Sequence, residues 1–419
     1  MLKAAVFNLG CKVNQYESDR IAAELSSVGF EVSPELDYAD LYVINTCAVT
    51  AEAERKSRQA VARARKFNPA AKIAVVGCAS QNDTAQFAAK EGVVFVSGAA
   101  GKSKFAKIAL ELFNSNDKAA IEEVSPFTSV FEEGMLPARP RTRAYIMVQD
   151  GCDNFCSYCI VPYLRGRGRS RSVESVLKEA DALSDVKEVV LIGINLSAYG
   201  RDIGSSLASL LAAFKPYGFR LRLGSLEPNV VTEEFLSAAA ALKNFCPHFH
   251  LSLQSGDADV LKAMNRRYTP EVYKEKTELI RAYFKDAAVT TDVIAGFPAE
   301  TEEHFWNGYE FVKNSGITDA HCFPYSPRKG TKAAELKELP HAVTERRAFL
   351  LAELAAQLKY EFMNRFIGCD AEVLFEDAKD GYVRGYTKNY LRVYSASATP
   401  GETVTVKLKE IRGDGLLAE

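Results

Sequence analysis

The sequence predicts an α/β protein in three parts: a doubly wound parallel-sheet domain over residues 1–125, a partial (βα)6 barrel over 140–367, and a small β-barrel over 368–419. Three observations carry this. Short apolar runs without alternation recur through most of the chain, as expected for strands buried on both faces of a parallel sheet. Helical stretches separate them, six βα units following one another in the central part. Near residue 368 the helices stop, and short β segments spaced by turn residues take over.

In the first domain the strands are Ala4-Ala5-Val6-Phe7, Leu41-Tyr42-Val43-Ile44, Ile73-Ala74-Val75-Val76 and Val93-Val94-Phe95-Val96. A helix is expected over Glu17 to Val28, with Ile21, Leu25 and Val28 as its apolar stripe and Gly29 past its end. A second runs from Ala51 to Phe67 and stops near Pro69. The first three strands each run into a cysteine: Leu9-Gly10-Cys11, Asn45-Thr46-Cys47 and Val76-Gly77-Cys78. Carboxyl ends of parallel strands share one edge, so three cysteines distant in sequence meet there. Gly10 and Gly77 let the backbone turn tightly beside them. A lone buried cysteine is ordinarily a small core residue; three in equivalent positions point instead to a shared ligand.

The barrel strands are expected over residues 144–148, 189–192, 220–223, 250–253, 290–294 and 320–323. Helices are expected over 173–183, 206–214, 232–242 and 302–313, with one long helical segment over 257–284. Chemistry in such barrels sits at the carboxyl ends of the strands. The first strand ends in Gly151-Cys152-Asp153-Asn154-Phe155-Cys156-Ser157-Tyr158-Cys159. Three thiolates at C-x-x-x-C-x-x-C spacing can hold three irons of a four-iron cluster, leaving the fourth iron for a substrate or cofactor. The alternative is a zinc knuckle, which wants a fourth Cys or His that this segment lacks.

A helix over 343–365 leads into the last part, where segments 371–375, 382–386, 391–394 and 402–408 read as strands of a small barrel. Arg384, Tyr386, Lys388, Asn389, Tyr390 and Arg392 mix basic and aromatic groups, which suits stacking on single-stranded RNA. The alternative is that these aromatics are barrel core. Positive charge concentrates in two further places. One is Arg165, Arg167, Arg169 and Arg171, with Arg139, Arg141 and Arg143; the other is Arg55, Lys56, Arg58, Arg63, Arg65 and Lys66. The first is expected to face phosphate or to organise a cofactor pocket. The second fits a phosphate surface or a solvated helix face equally well.

The net charge of −2 excludes a uniformly basic nucleic-acid binder but not local basic surfaces. Nine cysteines, with no signal peptide and no long apolar run, lead to the expectation of a reducing cytoplasm, where clustered cysteines are metal ligands or catalytic groups.

The cysteine loop resembles that of the radical S-adenosylmethionine (SAM) enzymes, and the whole chain resembles their methylthiotransferase family. The resemblance rests on the amino-terminal three-cysteine domain and on Gly151-Cys152 through Cys159-Ile160-Val161-Pro162-Tyr163. It also rests on Arg165-Gly166-Arg167, Arg169-Ser170-Arg171, Leu253-Gln254-Ser255-Gly256, Met264-Asn265-Arg266, Asp292 to Pro298 and Tyr325-Ser326-Pro327-Arg328. Ala299 stands where the family usually has glycine. The final region resembles a TRAM domain, an RNA-binding barrel. Leu9-Gly10-Cys11-Lys12-Val13-Asn14-Gln15-Tyr16-Glu17-Ser18 resembles the branch acting on N6-threonylcarbamoyladenosine (t6A) next to the tRNA anticodon. Branches acting on isopentenyladenosine or on a ribosomal protein carry other residues after this cysteine.

The resemblance implies two [4Fe-4S] clusters, on Cys11/Cys47/Cys78 and on Cys152/Cys156/Cys159. SAM would serve both as radical source and as methyl donor, placing a methylthio group on C2 of the adenine. A SAM pocket needs polar groups for its amino acid end and ribose, close backbone approach, and a slot for adenine. Tyr158, Gly193, Asn195, Ser225, Glu227, Gln254 and Arg266 are the expected contacts; singly, such residues are turn or cap residues in most proteins. The expected partners are tRNA, an electron donor such as flavodoxin or ferredoxin, and a sulfur donor, with no membrane. The competing readings are another radical SAM enzyme with a recognition domain in front, and a non-enzymatic RNA-binding protein with structural zinc.

Overall fold

The structure, a computed structural model, describes residues 1–114, 121–124, 127, 129–137 and 142–419. Arg139 and Arg141 of the expected basic stretch lie outside the described residues. Contacts divide the chain into two compact units: Met1–Pro140 with Met147–Arg171 and Ser326–Ala334, and Arg141–Ile146 with Ser172–Tyr325 and Glu335–Glu419.

The first unit is built on β1 (Lys3–Asn8), α1 (Lys12–Ser27), β2 (Glu31–Ser33), β3 (Leu41–Thr46), α2 (Ala51–Phe67) and β4 (Lys72–Gly77). It continues through α3 (Cys78–Asn82), α4 (Thr84–Ala88), β5 (Val93–Ser97), α5 (Phe105–Asn114) and β6 (Ile121–Glu123). The strands form one sheet in the order β2-β1-β3-β4-β5-β6, and every recorded pairing is parallel. Ile21 and Leu25 of α1 pack with Phe105 and Ala109 of α5 on one face, and Val61, Ala64 and Phe87 fill the other. That is the doubly wound arrangement, with β3 buried throughout. The strand order reverses between β1 and β3, so their carboxyl ends flank the crevice where such sheets hold ligands.

Two local differences from the sequence reading stand out here. Helix α1 starts at Lys12 rather than near Glu17, which makes Cys11 its N-cap residue. The polar run Asn14-Gln15 hides this start, because its side chains bond inside the protein. The end of β7 (Arg143–Asp150), the cysteine loop, α6 (Val161–Arg165) and β8 (Arg169–Ser170) also fall in the first unit. Ile160 and Leu164 pack in one core cluster with Ala79, Phe87 and Val96. The expected break between the first two parts lay at 125–140, ahead of this segment.

The second unit carries α7 (Val173–Asp181), β9 (Glu188–Gly193), α8 (Leu207–Ala213), β10 (Arg220–Leu223), α9 (Glu233–Ala240) and β11 (His248–His250). After these come α10 (Ala258–Ala263), α11 (Pro270–Tyr283), β12 (Ala288–Ala295), α12 (Glu302–Asn314), β13 (Asp319–Pro324) and α13 (His341–Asn364). Strands β9 and β10 are parallel, as are β11, β12 and β13, and parallel bridges at Leu221–Phe245 and Leu226–Leu251 join the two groups. This is the expected partial barrel. The helical segment expected over 257–284 is two helices, broken where Asn265 takes a left-handed backbone (φ +59°) and Pro270 restarts the chain. Strand β11 ends at His250, earlier than the strand expected over 250–253.

The unit ends in a closed five-stranded barrel, β14 (Asp370–Lys379), β15 (Tyr382–Thr387), β16 (Arg392–Ser395), β17 (Thr403–Arg412) and β18 (Gly415–Ala418), in the order β14-β15-β16-β18-β17. The fifth strand, Gly-Leu-Leu-Ala, was too short to read from periodicity. Val373, Phe375, Val393, Leu408 and Leu416 form its core with Phe362 and Met363 of α13.

Candidate active site

In the first unit, β1, β3 and β4 are neighbours in register. Asn8 pairs with Asn45, and Thr46 pairs with Gly77. Cys47 and Cys78 therefore leave adjacent strands side by side, and Cys11 leaves the third. Polar side chains stitch the three loops. Asn14 Nδ2 donates to Leu9 O and to Thr46 O, both at 2.9 Å. Thr46 Oγ1 accepts from Ala79 N and Ser80 N at 3.2 Å and donates to Val76 O at 2.8 Å. Gly10 has φ +114°, and a Cβ there would sit 2.9 Å from Cys47 Sγ, so only glycine lets the Cys11 loop pass so close. Burial pushes the Cys47 thiol up to about 11, and neighbouring Cys78 and Cys11 add to the rise. A cationic metal centre held there would have to displace the proton of that thiol.

The second cysteine set belongs to the same unit. Gly151 (φ +71°) turns the chain out of β7, and a Cβ there would meet Arg167 O at 1.9 Å. Cys152 N donates to Gly166 O at 3.1 Å and Cys159 N to Cys156 O at 2.9 Å. Arg167 lies over the Phe155 ring at 4.8 Å. Tyr158 is half-buried, and its neighbour Ser157 accepts from Ala333 N at 2.8 Å. Among the described residues, no group of three or more His, Cys, Asp or Glu side chains is spaced to hold a single metal ion. Each set offers three thiols, the donor type that an iron–sulfur cluster takes.

Most of the arginine run, expected to face phosphate or to organise a cofactor pocket, is buried. Arg165 is 1% exposed, and Arg169 and Arg171 are also buried. Arg165 binds both oxygens of Glu17 (2.9 and 3.1 Å), Asp150 Oδ1 (3.1 Å) and Asn14 Oδ1 (2.9 Å), and its Nε lies 3.3 Å from Cys78 Sγ. Arg169 pairs with Asp150, Arg171 with Glu133 at 3.2 Å, and Lys102 with Glu17. Only Arg167 is exposed, and it pairs with Asp153 at 3.0 Å. Burial pushes the Glu17 carboxyl up, but Arg165 and Lys102 outweigh it and hold Glu17 at about 2. The basic α2 face is partly internal bookkeeping as well: Arg55 and Arg58 pair with Glu52 and Glu54, and Arg65 with Glu91. Arg65 and Lys66 sit in the last turn of α2, where the helix dipole favours cations. Arg55, Lys56, Arg63 and Lys66 are exposed.

The remaining SAM candidates lie in the second unit, after the strands. Glu227 and Arg266 meet at 2.9 Å; Arg266 Nε donates to Tyr268 Oη at 2.9 Å, and Glu227 N donates to Ser197 Oγ at 2.7 Å. Gln254 has φ +69°, a costly backbone for a non-glycine residue, held by hydrogen bonds of its N to Asp292 O and of Ile294 N to its O. Gly193 ends β9, Asn195 is buried just beyond it, and Ser225 is exposed two residues after β10. The structure joins Glu227 to Arg266 directly; Ser197 and Tyr268 complete that group and carried no motif signal.

The basic-aromatic segment of the final barrel makes contacts inside the second unit. Tyr390 stacks on His248 (4.6 Å) and on Tyr386 (4.7 Å), and Arg143 and Arg222 lie over its ring at 5.4 and 4.5 Å. Arg384 pairs with Asp377 and Arg392 with Asp414, while Asn389 Nδ2 donates to Asp286 O at 3.0 Å. Beneath the stack, Glu188 takes Arg143 at 2.7 Å and Arg222 at 2.8 Å. Arg143, Glu188, Arg220 and His248 are the first residues of their strands. The small barrel is thus docked on the amino-terminal edge of the partial barrel, opposite the carboxyl ends where the candidate groups lie.

Comparison with known proteins agrees with this architecture. Residues 146–312 match the radical SAM superfamily, and residues 3–98 match an uncharacterized protein family, UPF0004. A solved radical SAM methyltransferase, TsrM from Kitasatospora setae, shares the fold at TM-score 0.58 and 16% identity, over 78% of this chain and 76% of that one. The fold is thus that of a radical SAM enzyme. Two proteins named threonylcarbamoyladenosine tRNA methylthiotransferase MtaB align nearly end to end. That of Bacillus subtilis is 36% identical over 97% of this chain and 94% of its own length. That of Aquifex aeolicus is 37% identical over 94% and 96%. A tRNA-2-methylthio-N(6)-dimethylallyladenosine synthase from Carboxydothermus hydrogenoformans is 35% identical over 96% and 95%. The chain belongs to the methylthiotransferase family of radical SAM enzymes.

Proposed function

We propose that this enzyme methylthiolates C2 of N6-threonylcarbamoyladenosine at position 37 of tRNA. The supporting observation is near-full-length similarity to relatives named for that substrate, together with the Cys11-Lys12-Val13-Asn14-Gln15 stretch beside the amino-terminal cysteine edge. In this reading Cys152, Cys156 and Cys159 hold one [4Fe-4S] cluster and Cys11, Cys47 and Cys78 a second. These groups supply radical generation from SAM and a bound sulfur. Residues 1–125 present the sulfur, 140–367 bind SAM and 368–419 form a TRAM-like domain, with a cytoplasmic reductant such as flavodoxin or ferredoxin and a separate sulfur donor.

The chain's own part is positioning. Asn14 and Thr46 hold the three amino-terminal loops at fixed spacing. Tyr158, Gly193, Asn195, Ser225, Glu227, Gln254 and Arg266 are the candidates to hold SAM, and Glu227 and Arg266 pair with each other. The threonylcarbamoyl group carries a carboxylate that needs a cation. Arg165, Arg169 and Arg171 are buried on carboxylates of the protein itself, so the candidates are the two exposed cations, Lys12, next to Cys11, and Arg167. An isopentenyl group offers no charge, and a site built for a polar group rejects an analogue lacking it. The 35% identity to the dimethylallyladenosine synthase keeps the isopentenyl substrate as the second reading.

Mass spectrometry of tRNA nucleosides tests the choice. Cells lacking the gene should lose the methylthio form of t6A and regain it on complementation. Loss of the isopentenyl methylthio nucleoside instead would move the enzyme to the other branch.

A further inference from the structure

We propose that Arg165 couples the two cysteine sets, raising the reduction potential of the group held by Cys11, Cys47 and Cys78 and fixing that edge against the 152–159 loop. The proposal rests on the two-cluster reading above. Its basis is the buried environment of Arg165. One guanidinium reaches Cys78 Sγ through Nε, Glu17 and Asn14 of α1, and Asp150, which immediately precedes Gly151-Cys152. Asn14 in turn accepts from Cys11 Sγ at 3.6 Å and donates to the loop before Cys47. The planar fork of Arg is suited to holding several acceptors at once, which a lysine cannot do.

The charge balance gives the hub a direction. Two buried carboxylates, Glu17 and Asp150, are shared among three cations, Arg165, Lys102 and Arg169. One positive charge is left over within this network, and of the two acceptors on Arg165 that are not carboxylates, Asn14 Oδ1 and Cys78 Sγ, only the second belongs to the cysteine set. A hydrogen bond and a positive charge at a ligating sulfur favour the reduced, more negative state of an iron–sulfur centre. Arg165 is a positioning residue: it touches a ligand, not the substrate.

The test uses the full chain carrying Cys152→Ala, Cys156→Ala and Cys159→Ala, reconstituted anaerobically so that only the amino-terminal set can hold iron. Potentiometric titration is followed by electron paramagnetic resonance. Arg165→Met should shift the midpoint to a more negative potential, Glu17→Gln should shift it to a more positive one, and Arg165→Lys should fall between Arg165→Met and the parent. Opposite shifts are the signature, since a purely structural defect has no reason to change sign with the charge removed. Glu17→Gln preserves shape and keeps the test open if Arg165→Met does not fold. Unchanged midpoints, or shifts of the same sign, overturn the role of Arg165. A parent variant that binds no iron at all overturns the two-cluster reading and the proposal with it, and iron content separates that failure from the other.

Discussion

Glu188 shows what a single side chain contributes in the second unit. It is fully buried, and burial alone would raise its pKa, yet Arg222 and Arg143 hold it below the ordinary carboxylate value. The unfolded chain, with a carboxylate near pH 4.3, therefore takes up the proton first. The stability Glu188 provides is complete above that pH and is lost as pH falls toward its lower folded value. Glu188→Gln should flatten the acid limb of stability measured by denaturant titration at several pH values; an unchanged acid limb would assign the loss to other carboxylates. Arg222→Met strands a buried carboxylate and should cost about 3–5 kcal/mol in the same experiment. A cost below about 1 kcal/mol would mean that Arg143 alone satisfies Glu188. In the cysteine loop the expectation is chemical. Cys152→Ala, Cys156→Ala or Cys159→Ala should each abolish reductive cleavage of SAM, scored as 5′-deoxyadenosine released with dithionite. Cleavage at the unmutated rate in any of them contradicts the assignment.

At the scale of elements, the small carboxyl-terminal barrel is the part whose meaning changed most. From sequence, Tyr386, Tyr390 and Arg392 look like a nucleic-acid surface because basic and aromatic residues alternate. In the structure Tyr390 stacks on His248 and on Tyr386, Arg143 and Arg222 lie over these rings, and Arg392 lies over Tyr386. The pattern was legible but its partner was not, since the partner lies at the amino ends of strands some 140 to 250 residues earlier in the chain. Ending the chain at residue 367 should therefore lower the melting temperature of the second unit and not merely weaken RNA binding. A truncated protein with unchanged melting temperature would show that the docking contributes nothing. The strands themselves were readable, because buried parallel strands carry apolar runs that flanking helices do not. Helix α2 was readable from end to end, because Thr50 caps it, acids open it and bases close it. The start of α1 was not, because its first turn is polar and its N-cap is the cysteine itself.

Across the whole molecule, the strand-end cysteines were the most legible feature, since topology alone carries them to one edge. The burial of Arg165, Arg169 and Arg171 was the least legible, since nothing in an arginine run announces the carboxylates of Glu17 and Asp150 that enclose it. The exposed cations Arg55, Lys56, Arg63 and Lys66 are the candidates for a phosphate-facing surface on the first unit. Reversing Lys56, Arg63 and Lys66 to glutamate should weaken tRNA binding and flatten its salt dependence; equal affinity and slope in a filter-binding titration would exclude that face. The direct measurement of substrate choice is mass spectrometry of anticodon stem-loop RNA after incubation with the reconstituted enzyme, SAM, reductant and sulfide, using RNA that carries either threonylcarbamoyl- or isopentenyladenosine. The threonylcarbamoyl RNA should gain a methylthio group, with little gain on the other. Preferential modification of the isopentenyl RNA would contradict the proposed substrate.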